Sequence, residues 1–170
     1  SHYLDYVREN PLEVTTLYKD LLIGVTNFFR DPDAFDVLEK EIMSTIVKSK
    51  KGDNIRVWVP GCASGEEAYS IAIIFAELIE KSQKHFNVQI FGTDIDEDSI
   101  EFARAAVYPD SISADISKER LKRFFIKEDS TYKVKKQIRE MLVFATQSII
   151  KDPPFSRLDM VSCRNVLIYM

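Results

Sequence analysis

Leu17, Leu21 and Leu22 recur at helical spacing and Pro11 suits a first helical turn, so residues 11–23 are predicted to form a helix. The pattern breaks across Thr26-Asn27-Phe28-Phe29-Arg30-Asp31. Asp31 followed by Pro32 is an N-cap signal for a second helix, whose apolar positions Phe35, Leu38, Ile42 and Ile46 share one side. Residues 48–51 put positive charge at its C-terminal end, ahead of Gly52. From there the period alternates. Residues 55–59 read as a short strand, 64–81 as a helix with a wide apolar stripe, 88–92 as a second strand, and 97–106 as a second helix capped by Asp96. Strand, helix, strand, helix in that order implies a parallel sheet with helices on its faces. Pro109 then interrupts. Residues 117–125 read as a short helix and 131–134 with 138–144 as a small hairpin or meander, leading into Phe144-Ala145-Thr146-Gln147. After the loop at Lys151-Asp152-Pro153-Pro154, residues 158–162 make a last strand.

Composition narrows this little. The 170 residues are 45% hydrophobic and 29% charged, the balance of an ordinary soluble domain with a real core. No apolar run approaches the ~18–20 residues that span a bilayer, and no basic-then-apolar leader opens the chain, so direct membrane insertion is not expected. Cys62 and Cys163 form no disulfide framework or metal cluster pattern; both are expected to be small buried thiols, in a reducing, cytoplasmic setting. The net charge is −4, and the basic clusters at 118–123 and 133–136 read as solvated surfaces. Neither makes the broad basic face of a nucleic-acid binder, so no nucleic acid is expected as partner.

The chemistry is concentrated where strands end. The loop Val59-Pro60-Gly61-Cys62-Ala63-Ser64-Gly65-Glu66-Glu67 follows the first strand and opens a helix. Small residues there let a ligand approach the backbone beside free helix N–H groups. The glycine spacing is not the GxGxxG of dinucleotide binders, and two carboxylates would repel a pyrophosphate. They suit instead a ligand carrying an ammonium or sulfonium; for Glu67, complementing the helix dipole is an equal reading. The second strand closes on Phe91-Gly92-Thr93-Asp94, where Gly92 permits close approach and Asp94 is placed to accept hydrogen bonds from ribose hydroxyls. Asp96 reads as a helix cap.

Together these residues resemble the chemotaxis receptor methyltransferases of CheR type, and two further segments carry that resemblance. Val25-Thr26-Asn27-Phe28-Phe29-Arg30-Asp31 is similar to that family's signature, and Ser162-Cys163-Arg164-Asn165-Val166-Leu167-Ile168-Tyr169 to its "CRNVLIYF" stretch. The resemblance implies a Rossmann-like α/β S-adenosylmethionine methyltransferase fold, incomplete at its C-terminal strands, with N-terminal helices and a small β-hairpin subdomain. The expected layout is an N-terminal helical segment and linker over 1–30, then the methyltransferase domain over 31–170 with the small insertion at 107–142. It further implies transfer of a methyl group from S-adenosylmethionine to glutamate side chains in the cytoplasmic domains of chemotaxis receptors, giving methyl esters and S-adenosylhomocysteine. Carried over position by position, Glu66 holds the cofactor's methionine end and Asp94 its ribose. Thr26, Gly61, Asn165 and Val166 line the crevice, Gln147 stands at the adenine contact, and Arg30 and Tyr169 lie near the departing methyl. No metal is implied.

Four departures matter. Gln147 stands where the family often has Asn, and Gly24 where another Asn is frequent. No glycine follows Gly92, so the glycine-containing loop with which some members tether a receptor tail is not expected. Family members also continue beyond the "LIYF" segment. The chain is therefore expected to be a fragment whose strand at 158–162 has an open edge available for self-association, and residues 19–30 resemble modules embedded in larger fusion proteins. The alternative function is a catalytically incomplete module that binds the cofactor or a receptor without turnover.

Overall fold

The computed structural model describes residues 26–50, 52–82 and 85–164, with Tyr6 and Asn10; the helix expected over 11–23 and the site residues Asn165, Val166 and Tyr169 lie outside the described residues. A first helix, α1 (Pro32–Val37), runs through a π-helical stretch (Leu38–Met43) into α2 (Ser44–Ser49). The expectation that the Asp31 side chain caps α1 is corrected. Asp31 has φ 58 and makes no side-chain capping bond. Its backbone carbonyl accepts the Ala34 N–H at 2.9 Å, while its carboxylate accepts from Arg164 at 2.6 Å. A charged partner distant in sequence has taken the oxygen that a local cap would use.

Four strands make the main sheet. They are β1 (Asn54–Pro60), β2 (Asn87–Asp94), β6 (Leu142–Thr146) and β7 (Met160–Val161). Their order is β6-β2-β1-β7, all parallel. β7 is shorter than the strand expected over 158–162. The connection from β1 to β2 is α3 (Glu66–Ser82), and α4 (Glu97–Ala105) follows β2. Ile55, Val57 and Val59 alternate onto one face and join a single core cluster with Ile71, Ile74 and Phe75 of α3. On the opposite face Val143, Phe91, Trp58 and Val161 lie side by side in register, and Phe155 stacks on Phe91 at 4.3 Å.

A second sheet is antiparallel, in the order β3-β5-β4, from β3 (Val107–Pro109), β4 (Phe125–Glu128) and β5 (Thr131–Val134). This corrects the expected hairpin. β5 pairs with β4 across a turn in which Asp129 has φ 46, and with β3 on its other side. Residues 136–139 form a one-turn helix, α6 (Lys136–Arg139), and β6 belongs to the parallel sheet. Strands of three or four residues are too short for their own periodicity to reveal which partner they take.

Between β3 and β4 lie a 3-10 turn (Asp110–Ala114) and α5 (Lys118–Phe124). The solvated reading of the basic cluster at 118–123 fails for Arg120. Its guanidinium forks onto the buried carboxylate of Glu77 at 3.1 and 2.8 Å, reaches Glu39 at 3.0 Å, and lies 4.4 Å from the centre of the Phe29 ring. Cys62 is buried but Cys163 is only half-buried, so the expectation of two buried thiols holds for the first alone.

Candidate functional site

β1 ends at Pro60, and the chain turns through left-handed conformations at Gly61 (φ 65), Ala63 (φ 45) and Gly65 (φ 93) before α3 begins at Glu66. Gly65 has a second reason to lack a side chain, since a Cβ there would sit 2.9 Å from the Ala103 Cβ and 3.2 Å from the Phe144 ring. The loop is tied to the end of β2. The Cys62 N–H donates to the Thr93 carbonyl at 3.0 Å, and the Ala63 N–H to Asp94 Oδ2 at 2.8 Å. Asp94 Oδ1 accepts from the Asp96 N–H at 3.1 Å. The half-exposed Asp94 thus fixes two loops, and each carboxylate oxygen keeps a further lone pair for a ligand hydroxyl. Asp96 caps α4 by accepting from the Ser99 N–H, as its position in the sequence suggests.

Glu66 opens α3 with only 9% of its surface exposed. Both its oxygens accept from the Ser64 hydroxyl, at 2.9 and 2.7 Å. Burial lifts this carboxyl above the usual glutamate range, the Ser64 hydroxyl opposes that rise, and Asp115 adds to it. A buried carboxylate in that state gains from an incoming cation.

Glu66 also lines a cavity of about 490 Å³ between the glycine loop, the start of α4, the segment at 26–28 and the edge of the small sheet. Thr26 is on its wall. Among the described residues the charged groups of that wall are Glu66, Asp96, Asp98 and Asp115, with no lysine or arginine. Its size lies within the ~300–1,000 Å³ usual for small-molecule sites. Asp94 is not part of the wall but accepts from the N–H of Asp96, which is.

The turn at 28–31 forms the other side. Phe28 is buried edge-on against Tyr108 and Phe125 of the small sheet, at 4.8 and 5.6 Å. The Phe29 N–H donates to the Ser70 hydroxyl of α3 at 2.9 Å. Arg30 follows, and its charge reaches Glu67. Burial lifts the Glu67 carboxyl, while the Ser162 hydroxyl, at 2.6 Å, and the guanidiniums of Arg164 and Arg30 pull it down. Glu67 therefore faces the arginines rather than the acidic cavity, and the two adjacent glutamates have different surroundings.

Of the expected site residues, Thr26 and Glu66 line the cavity, Gly61 lies in the loop that Asp94 ties to the end of β2, and the charge of Arg30 reaches Glu67. Gln147 joins through its backbone, whose N–H donates to the Asp94 carbonyl at 2.8 Å. Its side chain donates to the Pro153 carbonyl at 2.9 Å, which leaves Oε1 buried with no hydrogen-bond partner among the described residues. Tyr108 and Asp115 escaped the sequence reading. Tyr108 walls the cavity and donates from its hydroxyl to the Ser64 carbonyl at 2.7 Å. Its partner is 44 positions away, beyond the reach of any local pattern.

The family model described as CheR methyltransferase, SAM binding domain, matches residues 24–170. The chemotaxis protein methyltransferase of Borreliella burgdorferi is 29% identical over 177 residues, covering 99% of this chain and 62% of that protein. Chemotaxis protein methyltransferase 1 of Pseudomonas aeruginosa is 33% identical over 149 residues, 85% of this chain and 54% of that protein. A protein of Rhodobacter capsulatus, named as an uncharacterized 104.1 kDa protein in hypE 3'region, is 40% identical over 168 residues, 98% of this chain and 18% of that protein. The chain thus spans at most 62% of the length of these relatives.

Proposed function

We propose that this chain, which belongs to the CheR methyltransferase family, serves to methylate glutamate side chains of chemotaxis receptors in the cytoplasm. The cofactor of the family domain is S-adenosylmethionine. It supplies an activated methyl on a sulfonium, which an ionised glutamate takes as a γ-methyl ester, leaving S-adenosylhomocysteine. An ionised acceptor has no proton to give up, so the protein's part is alignment and electrostatics rather than base catalysis.

The observation that carries this reading is the separation of charge across the crevice. Among the described residues carboxylates alone supply the charge on the cavity wall, while Arg30 and Arg164 lie on the neighbouring side, beside Glu67. The acidic wall suits the ammonium and sulfonium of the cofactor, and the basic side suits a carboxylate acceptor. In this assignment Glu66 holds the methionine end and Asp94 the ribose. Thr26, Gly61, Gln147, Asn165 and Val166 line the rest of the crevice. Arg30 steadies the acceptor's second oxygen, and Tyr169 stands near the transferred methyl.

The test is transfer of labelled methyl from the donor to receptor-bearing membranes. The label should leave in mild alkali, as an ester does, and should be lost in Arg30→Ala while cofactor binding persists. Label that resists alkali would contradict a glutamate ester. Cofactor binding without any transfer would favour the module that binds without turnover.

A further inference from the structure

The backbone around Arg30 is held in a costly shape. Phe29 has φ 51 and Asp31 φ 58, so Arg30 stands between two left-handed residues, neither of them glycine. Such conformations persist at functional sites only where the surroundings over-determine them. Here the segment just after β7 supplies much of that constraint. Arg164 donates from Nη2 to the Arg30 carbonyl at 2.9 Å and to the Asp31 carboxylate at 2.6 Å. Its guanidinium also lies 5.1 Å from the centre of the Phe35 ring, in the first helix after the turn. Two residues earlier, the Ser162 hydroxyl donates to Glu67 in the first turn of α3. One short stretch therefore grips both the helix that follows the glycine loop and the turn that carries Arg30.

We propose that Arg164 is a positioning residue for Arg30, pinning the strained turn so that the Arg30 guanidinium is registered against the cofactor crevice. This rests on the reading of Arg30 given above. The bond is to the Arg30 backbone, so it sets where the residue sits rather than competing for its guanidinium. A group that fixes alignment alone governs turnover and leaves cofactor affinity unchanged.

The test compares Arg164→Ala, Arg30→Ala and the double variant in the natural full-length protein, by methyl transfer to receptor membranes and by calorimetry with S-adenosylhomocysteine. Arg164→Ala is expected to lower kcat about 100-fold, the scale of a misplacement of about 1 Å, with cofactor Kd changed less than about twofold. The double variant is expected to be no slower than Arg30→Ala alone, since both changes remove one function. A wild-type kcat in Arg164→Ala, or a double loss equal to the product of the single losses, would overturn the proposal. Wild-type transfer in Arg30→Ala would instead overturn the reading of Arg30 itself, and the proposal with it. Should Arg164→Ala not fold, Arg164→Lys keeps a cation beside Asp31 without the planar fork. A kcat loss of about threefold to tenfold at unchanged cofactor affinity is then expected, and no loss would overturn the proposal.

Discussion

The glycine loop and the turn at 28–31 lie on either side of α3's first turns, and both run through left-handed backbone, but they are held in opposite ways. The loop rests on its own sheet: Cys62 and Ala63 bond to the end of β2, and Gly65 bonds back to the Cys62 carbonyl at 2.9 Å. Two of its three left-handed residues are glycines. The turn has Phe29 and Asp31 in left-handed conformations instead, and is fixed by side chains 41 and 134 positions away, those of Ser70 and Arg164. A cradle written into adjacent residues forms with the sheet. A turn that depends on distant side chains is correct only when the rest of the domain has assembled around it.

That contrast can be broken at either end. Gly65→Ala combines a left-handed φ with a Cβ pressed against Ala103 and Phe144. It should cost about 3 kcal/mol in urea unfolding and weaken cofactor binding as well. A loss under about 1 kcal/mol would mean that the loop relaxes more freely than its geometry implies. Ser70→Ala leaves the Phe29 N–H without its buried acceptor and should cost about 2 kcal/mol. It should also slow methyl transfer while leaving cofactor affinity nearly intact. A turn that supported itself would show neither effect.

A smaller effect separates the two glutamates. Because burial raises the Glu66 carboxyl, its contribution to stability is complete below the ordinary glutamate pKa of about 4.3 and is lost as pH rises through the raised value. Glu66→Gln should therefore flatten that loss and make the free protein more stable at neutral pH. Cofactor affinity in the wild type should rise with pH over the same range, as the carboxylate forms, and Glu66→Gln should abolish that rise. Melting curves and calorimetry across a pH series would show both; a parallel pH dependence in the variant would assign it to another group.

The same contrast explains what the sequence reveals. β1, α3, β2 and α4 follow from local period and caps, and Glu66 and Asp94 stand out in the sequence because each lies at a strand or helix end whose chemistry is local. The small sheet was misread because its strands are too short to declare their partners, and β5 turns back on β4 rather than pairing with the strand that follows it. Asp31 looked like a cap until Arg164 claimed its carboxylate. Arg120 looked like surface charge until Glu77 and Glu39 enclosed it. Tyr108 gave no sign of its bond to Ser64. Each of these depends on a residue brought near by the fold.

In the proposed function the loop at 61–66 and Asp94 form one cradle for a cationic methyl donor. Calorimetry with S-adenosylmethionine tests it most directly, comparing the wild type with Asp94→Ala. The wild type should bind, and Asp94→Ala should bind at least 100-fold more weakly, since it loses the proposed ribose contact and releases the Ala63 and Asp96 N–H groups that the carboxylate now holds. Equal affinity in the two proteins, or no binding by the wild type, would contradict the account.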